Sequence, residues 1–260
     1  MIGTLTSYHL ITRDKARSLQ TVASDRVVQR ETAYYESRIS DVKSIDDFMN
    51  DRRIYTYALR SLGMGDMVES RALIRKVLEG GIDKSDSLAN SLADPRFREL
   101  VETFNFARYG SATTTFTRTQ KGTVDRYLRT TLEENAGQSN EGVRLALYFE
   151  RKAPNIRNIF EILADKALYK VVETALSLPT SLPAVGIEKQ AAFIATKLDI
   201  ADLKDPEKLT RFLERFANLW DLSTTNVTAN PSLQLFQSNS LSGISVETLT
   251  SIQNLQARRR

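Results

Sequence analysis

"RETAYYESRISDVKSIDDFMNDRRIYTYALRSL" (Arg30–Leu62) and "RLALYFERKAPNIRNIFEILADKALYKVVETAL" (Arg144–Leu176) lie 114 residues apart, and their comparison decides the fold. Laid over one another, they pair Arg30 with Arg144, Tyr34 with Tyr148, Glu36 with Glu150, Asp51 with Asp165, Tyr55 with Tyr169 and Leu62 with Leu176. Tyr35/Phe149, Val42/Ile156, Phe48/Ile162 and Arg52/Lys166 are chemically similar. Self-similarity at a long offset is the mark of a duplicated structural unit. After loops of unequal length, Ala72, Ile74 and Leu78 meet Ala192, Ile194 and Leu198 at an offset of 120, and Asp94-Pro95 meets Asp205-Pro206 at 111.

Both segments have the period of helices. Ile54, Tyr55, Ala58, Leu59 and Leu62 fall on one face, as do Leu168, Val171, Val172, Ala175 and Leu176, following the i, i+4, i+8 spacing of an amphipathic helix. Gly63, Gly65 and Gly80-Gly81 in the first segment, and Pro179 and Pro183 in the second, mark helix ends. The expected fold is all-α, with two pseudo-repeats of a multi-helix unit and partly extended N- and C-terminal arms. The divisions are an N-terminal arm at 1–19, repeat 1 at 20–110, a connector and linking helix at 111–133, repeat 2 at 134–222, and an uncharged linker with a C-terminal helix at 223–260. Within the connector, the β-prone "SATTTFTRT" (Ser111–Thr119) reads as a linker or short ribbon, followed by a helix from about 119 to 134.

Asp51, Asp94, Asp165 and Asp205 each precede an apolar-periodic run. A carboxylate there accepts from unpaired backbone N–H groups and favours the positive end of the helix dipole. Proline after Asp94 and Asp205 fits the first helical turn, where its missing N–H is not needed. These aspartates read as caps rather than as a catalytic carboxylate pair. Phe97, Leu100, Val101 and Phe104, and likewise Leu209, Phe212, Leu213, Phe216 and Trp220, read as core stripes.

Composition narrows the chemistry. With no Cys and a single His, His9, the chain has no thiolate nucleophile, no Cys-based zinc site and no His-rich metal site, so neither a cofactor nor a metal is expected. The net charge of +4 sits at the ends, because residues 1–30 carry five Lys/Arg against two acids and residues 222–260 carry three Arg against one Glu. The nearly neutral body argues against nucleic-acid binding, which calls for a basic face. No apolar stretch approaches transmembrane length, and the N-terminus lacks the pattern of a cleavable secretory signal.

Two places remain for contacts with other molecules. "YFERKAPNIRNIF" (Tyr148–Phe160) gathers Arg151, Lys152 and Arg157 around Pro154, a candidate anion or partner contact. From Leu222 to Val246 the chain has no charged residue. Its Leu233, Leu235, Phe236, Leu241 and Ile244, with Leu249, Ile252 and Leu255 along one side of the last helix, are candidate partner-binding residues.

"IDDFMNDRRIYTYALRSLGM" (Ile45–Met64), "SLADPRFRELVETFNF" (Ser91–Phe106), "NEGVRLALYFERKAPNIRNIFEILADKALYKVVETALSLP" (Asn140–Pro179) and "DPEKLTRFLERFANLWD" (Asp205–Asp221) resemble an alphaproteobacterial family of domains of unknown function. That family is often encoded in flagellar gene clusters. The resemblance spans about Ser18 to Leu222 and brings no catalytic residues. It implies a non-enzymatic helical protein of the bacterial flagellum, as a basal-body or hook component or an assembly factor. Its partners would be flagellar or flagellar-assembly proteins, or a second copy of this chain, and it would be exported without a cleavable signal. The alternative it leaves is a cytoplasmic flagellar chaperone or regulator. An enzyme acting on an anionic substrate held by "ERKAPNIR" is the remaining alternative.

Overall fold

The computed structural model describes residues 2–228, and among them all regular structure is helical. The α-helices are α1 (Thr4–Arg13), α2 (Lys15–Ala23), α3 (Arg26–Arg38), α4 (Ile45–Asn50), α5 (Arg52–Ser61), α6 (Arg71–Gly80), α7 (Leu88–Ser91), α8 (Pro95–Thr103), α9 (Phe106–Tyr109), α10 (Lys121–Ser139), α11 (Glu141–Lys152), α12 (Ile159–Ala164), α13 (Lys166–Ala175), α14 (Ile187–Ala195) and α15 (Pro206–Thr228). Among the described residues, 2–219 form one compact unit, and 220–228, the end of α15, fall in a second.

The local architecture of α3–α5 reappears in α11–α13 at the 114-residue offset. In each, a long helix runs into a 3-10 turn (Ile39–Asp41, Ala153–Asn155), then a short helix, then a ten-residue helix. Ser44 Oγ accepts from the Asp47 N–H and Asn158 Oδ1 from the Glu161 N–H, at 3.0 and 3.1 Å. The Asp47 and Glu161 carboxylates take the backbone N–H just before each cap, from Lys43 and Arg157. Such reciprocal bonds satisfy donors that a helix start otherwise leaves bare.

Next, Asp51 Oδ1 accepts from the Arg53 and Ile54 N–H groups, while its Oδ2 accepts from the Tyr34 hydroxyl at 2.8 Å. Asp165 does the same with Ala167, Leu168 and the Tyr148 hydroxyl at 2.5 Å. Each carboxylate thus starts one helix and ties it to the helix two elements earlier. Asp94 and Asp205 cap α8 and α15 in the expected way, accepting from the N–H groups of Arg96, and of Glu207 and Lys208.

Equivalent ends close the two hairpins. Met64 N–H donates to Leu59 O and Gly63 N–H to Arg60 O, both at 2.9 Å. The Leu178 N–H donates to Glu173 O and Ser177 N–H to Thr174 O, which is the Schellman pattern in both. The residue after the cap must then adopt left-handed backbone. Gly63 has φ +70°, and Ser177, at the matching position, has φ +50°.

The core follows from the apolar faces. Phe48 sits at 5.0 Å from Phe104 and 5.8 Å from Phe106, and Tyr57 stacks between Tyr35 at 4.5 Å and Tyr127 at 3.9 Å. Phe149 packs 5.4 Å from Phe212, while Leu209, Leu213 and Phe216 are buried. Fully burying each such side chain contributes about 1.5–3 kcal/mol. Helix α10 packs on α2, α5 and α11 and so joins the two hairpins.

Two expectations are corrected. The N-terminal segment is not extended. Its α1 and α2 are docked, with Thr4 and Tyr8 buried, Thr4 Oγ1 bonded to Asn140 Oδ1 at 3.1 Å and Lys15 Nζ to Glu150 Oε1 at 3.1 Å. Asp14 caps α2 through the Arg17 N–H, so the chain turns back onto the body. The threonine-rich stretch, which links α9 to α10, is not a ribbon, because residues 110–115 form a 3-10 turn. Thr113 Oγ1 donates to Asn105 O, Thr114 Oγ1 to Val42 O at 2.8 Å, and Thr119 Oγ1 to Thr113 O. Hydroxyls that bond to nearby carbonyls override β-propensity where no strand is present to pair with. The helix after it runs on to Ser139, across position 134, so both hairpins and their connector belong to one body. The candidate partner residues from Leu233 to Leu255, and the C-terminal arm that carries them, lie outside the described residues.

Left-handed backbone costs an L-residue about 1–2 kcal/mol that glycine does not incur. Ser177→Gly should therefore raise stability by about 1 kcal/mol in urea denaturation. Gly63→Ala should lower it by about 1 kcal/mol, since a Cβ at Gly63 would meet nothing within 4 Å and only the backbone term remains.

Candidate functional site

The "ERKAPNIR" segment lies at the end of α11 and in the turn after it. Arg151 Nε and Nη2 donate to Glu133 Oε1 and Oε2 of α10 at 2.6 and 2.8 Å. The two side chains are only 13% and 9% exposed. Lys152 Nζ donates to Glu99 Oε2 of α8 at 2.6 Å. Arg157 is exposed, and its backbone N–H serves the α12 start. The structure therefore does not bring the three cations together. Arg151 and Lys152 reach inward to carboxylates on two different helices, so each joins α11 to a neighbouring helix, and Arg157 alone of the three expected anion or partner contacts is exposed.

Electrostatics follow this packing. Burial works to raise the Glu99 carboxyl, but Lys152, Arg126 and Arg151 outweigh it and hold the group below its ordinary 4.5. Burial also opposes the Arg151 charge, yet the Glu133 carboxylate raises the guanidinium above its usual range. Arg126 is pushed down by burial, and its Nη2 donates to Thr103 Oγ1 and to Arg118 O. A similar clamp holds α8. The Arg96 guanidinium bridges Asp94 at 2.8 Å and Asp66 at 3.1 Å and also donates to Gly63 O, tying the start of α8 to the end of α5.

Sequence reasoning missed a groove of about 320 Å³ between α3, α5 and α10. Arg52, Thr56 and Arg60 line it from α5 at four-residue spacing, with Val27 and Glu31 from α3 and the Tyr57 and Tyr127 rings behind. Arg53 lies 3.7 Å over the Tyr34 ring and donates to Glu31 at 3.1 Å. Burial tends to raise the Glu31 carboxyl, but hydrogen bonds from Arg53 and Arg30 lower it overall. Arg52 pairs with Glu69 at 2.9 Å, with both side chains largely in solvent. The spacing of Arg52, Thr56 and Arg60 was the available signal. The missing half was α10, which brings Tyr127 alongside from 70 residues beyond Tyr57.

Among the described residues, no group of three or more His, Cys, Asp or Glu is placed to share a metal ion. Nor is any helix there long and apolar enough to cross a membrane. Docked hairpins, internal ion pairs and a surface groove define an all-α protein whose buried charges join helices. A model of the family described as proteins of unknown function (DUF1217) matches residues 61–209, and the chain belongs to that family. It is also similar to the crystal structure of protein AGR_C_984 from Agrobacterium tumefaciens, at 45% identity and a TM-score of 0.80, over 86% of this chain and 97% of that one. No curated protein matches it.

Removing one partner of a largely buried ion pair leaves the other charge stranded, at about 3–5 kcal/mol. Arg151→Ala should lose stability on that scale in urea denaturation, whereas Arg151→Met with Glu133→Leu should recover most of it. The depressed Glu99 carboxyl stabilises the fold above its ordinary 4.5, and that contribution is lost as pH falls through its lower folded value. Glu99→Gln should therefore shrink the stability lost between pH 7 and pH 3; an unchanged acid loss would show that the Lys152 pair contributes nothing.

Proposed function

We propose that the protein is a non-catalytic component of the bacterial flagellum, or a factor in its assembly, that acts through protein–protein contacts. The observation that carries this reading is the resemblance of four long stretches to a family often encoded in flagellar gene clusters. Membership in the DUF1217 family and a similar structure from an Agrobacterium support the family part of that argument. The described body adds a physical argument. Two largely buried cations, Arg151 and Arg126, and the clamp Arg96 are engaged with groups of neighbouring segments. Their chemistry is spent on rigidity, and a rigid body with a shaped surface suits recognition.

The candidate partner contacts of the C-terminal stretch rest on its composition: apolar residues in an uncharged polar background suit covering apolar surface on a partner.

Deleting the gene should reduce swimming in soft agar, and the tagged protein should purify with hook–basal bodies. Full motility with intact flagella would refute the reading. Retention inside cells with an active flagellar export apparatus would refute the structural-component version and leave the chaperone or regulator.

A further inference from the structure

We propose that the groove between α3, α5 and α10 binds an extended acidic segment of a protein partner, one presenting carboxylate, apolar group and carboxylate on one face at alternate residues. This rests on the protein–protein reading above and names the chemistry of the contact.

The spacing of the cations sets the motif. Arg52 and Arg60 are eight residues apart on one helical stripe, which places them about 12 Å apart along the axis at 1.5 Å per residue. An extended peptide rises about 3.3 Å per residue with side chains alternating between faces, so residues i and i+4 share a face about 13 Å apart. Residue i+2 lies midway on that face. Opposite it are Thr56 and the wall formed by Val27, Tyr57 and Tyr127, which suits an aromatic or aliphatic side chain.

Charge separates this partner from other polyanions. Glu31 and Glu69 stand among the arginines, so a continuous row of phosphates meets more like charge than two carboxylates separated by an apolar residue. Arg53 is already matched by Glu31 and serves as wall. Arg52 can exchange Glu69 for a partner carboxylate at little cost, because the pair is solvent-exposed, with side chains 75% and 79% accessible.

The second hairpin supplies an internal control. At the 114-residue offset, Glu31, Arg53, Thr56, Tyr57 and Arg60 become Leu145, Ala167, Lys170, Val171 and Thr174. The adjacent Tyr34–Asp51 bond, by contrast, is kept as Tyr148–Asp165. The hairpin therefore forms without Glu31, Arg53 and Arg60, whereas Arg52 keeps its cation as Lys166 and Tyr57 also serves the aromatic core.

The test uses the full chain and a fluorescein-labelled peptide Gly-Glu-Ser-Phe-Ser-Glu-Gly, followed by anisotropy at low and high salt. Saturable binding is expected, at least tenfold weaker when Phe is replaced by Ser or when the two Glu are made adjacent. The double variant Arg52→Gln, Arg60→Gln should weaken it at least tenfold, with an unchanged melting curve. Thr56→Trp, which fills the groove and keeps every charge, should do the same. The proposal is overturned by an absence of saturable binding, by equal binding to both groove variants, or by an oligonucleotide of equal charge binding as well as the peptide. A motility defect in the deletion strain combined with any of these outcomes would leave the flagellar reading standing and remove only the groove.

Discussion

The carboxylates of Asp51 and Asp165 carry two duties at once, and the rest of the body is arranged around them. One oxygen of each satisfies backbone N–H groups at a helix start, and the other takes a tyrosine hydroxyl from the preceding long helix. A cap alone fixes where a helix begins. A cap bonded to Tyr34 or Tyr148 also fixes how that helix lies against another. With the direction of α5 and α13 set in this way, their apolar faces meet α10 and α11, and aromatic layers such as Tyr35–Tyr57–Tyr127 close over them.

Charged residues reinforce this frame more than they decorate it. Arg151 with Glu133 and Lys152 with Glu99 connect separate helices, and Arg96, held by its own helix's cap Asp94, reaches Asp66 in the turn after α5. Partly or largely buried pairs of this kind give little net stability over an apolar pair, but breaking one is expensive. They therefore act chiefly on which arrangement of helices is chosen. That is a reason for a nearly neutral body to hold so many charges, and a reason that cations in the "ERKAPNIR" segment are poor evidence of a substrate.

Features with local causes were legible in the sequence. The four aspartate caps, the glycine stop at Gly63 and the periodic faces of α5 and α13 all depend on residues within one or two turns. Features made by distant partners were not. Nothing near Arg151 points to Glu133, and nothing near Arg53 points to Glu31 or to a ring over which it lies. The threonines from Thr113 to Thr119 misled because β-propensity describes a pleated, paired surface, whereas their hydroxyls found carbonyls nearby and at Val42. The docked N-terminus was not legible: Asp14 emerges as a cap only in the structure, and the burial of Tyr8 against the body is set by residues more than 100 positions away.

The central claim is that each tyrosine–aspartate bond orients its helix as well as capping it. A double-mutant cycle in the full chain, combining Tyr148→Phe with Asp165→Ala and, separately, Tyr34→Phe with Asp51→Ala, measures this directly. The account predicts coupling of about 0.5–3 kcal/mol in both cycles, as expected for residues sharing one hydrogen-bonded network. Additive effects, with coupling near zero in both, would reduce the aspartates to simple caps and contradict it.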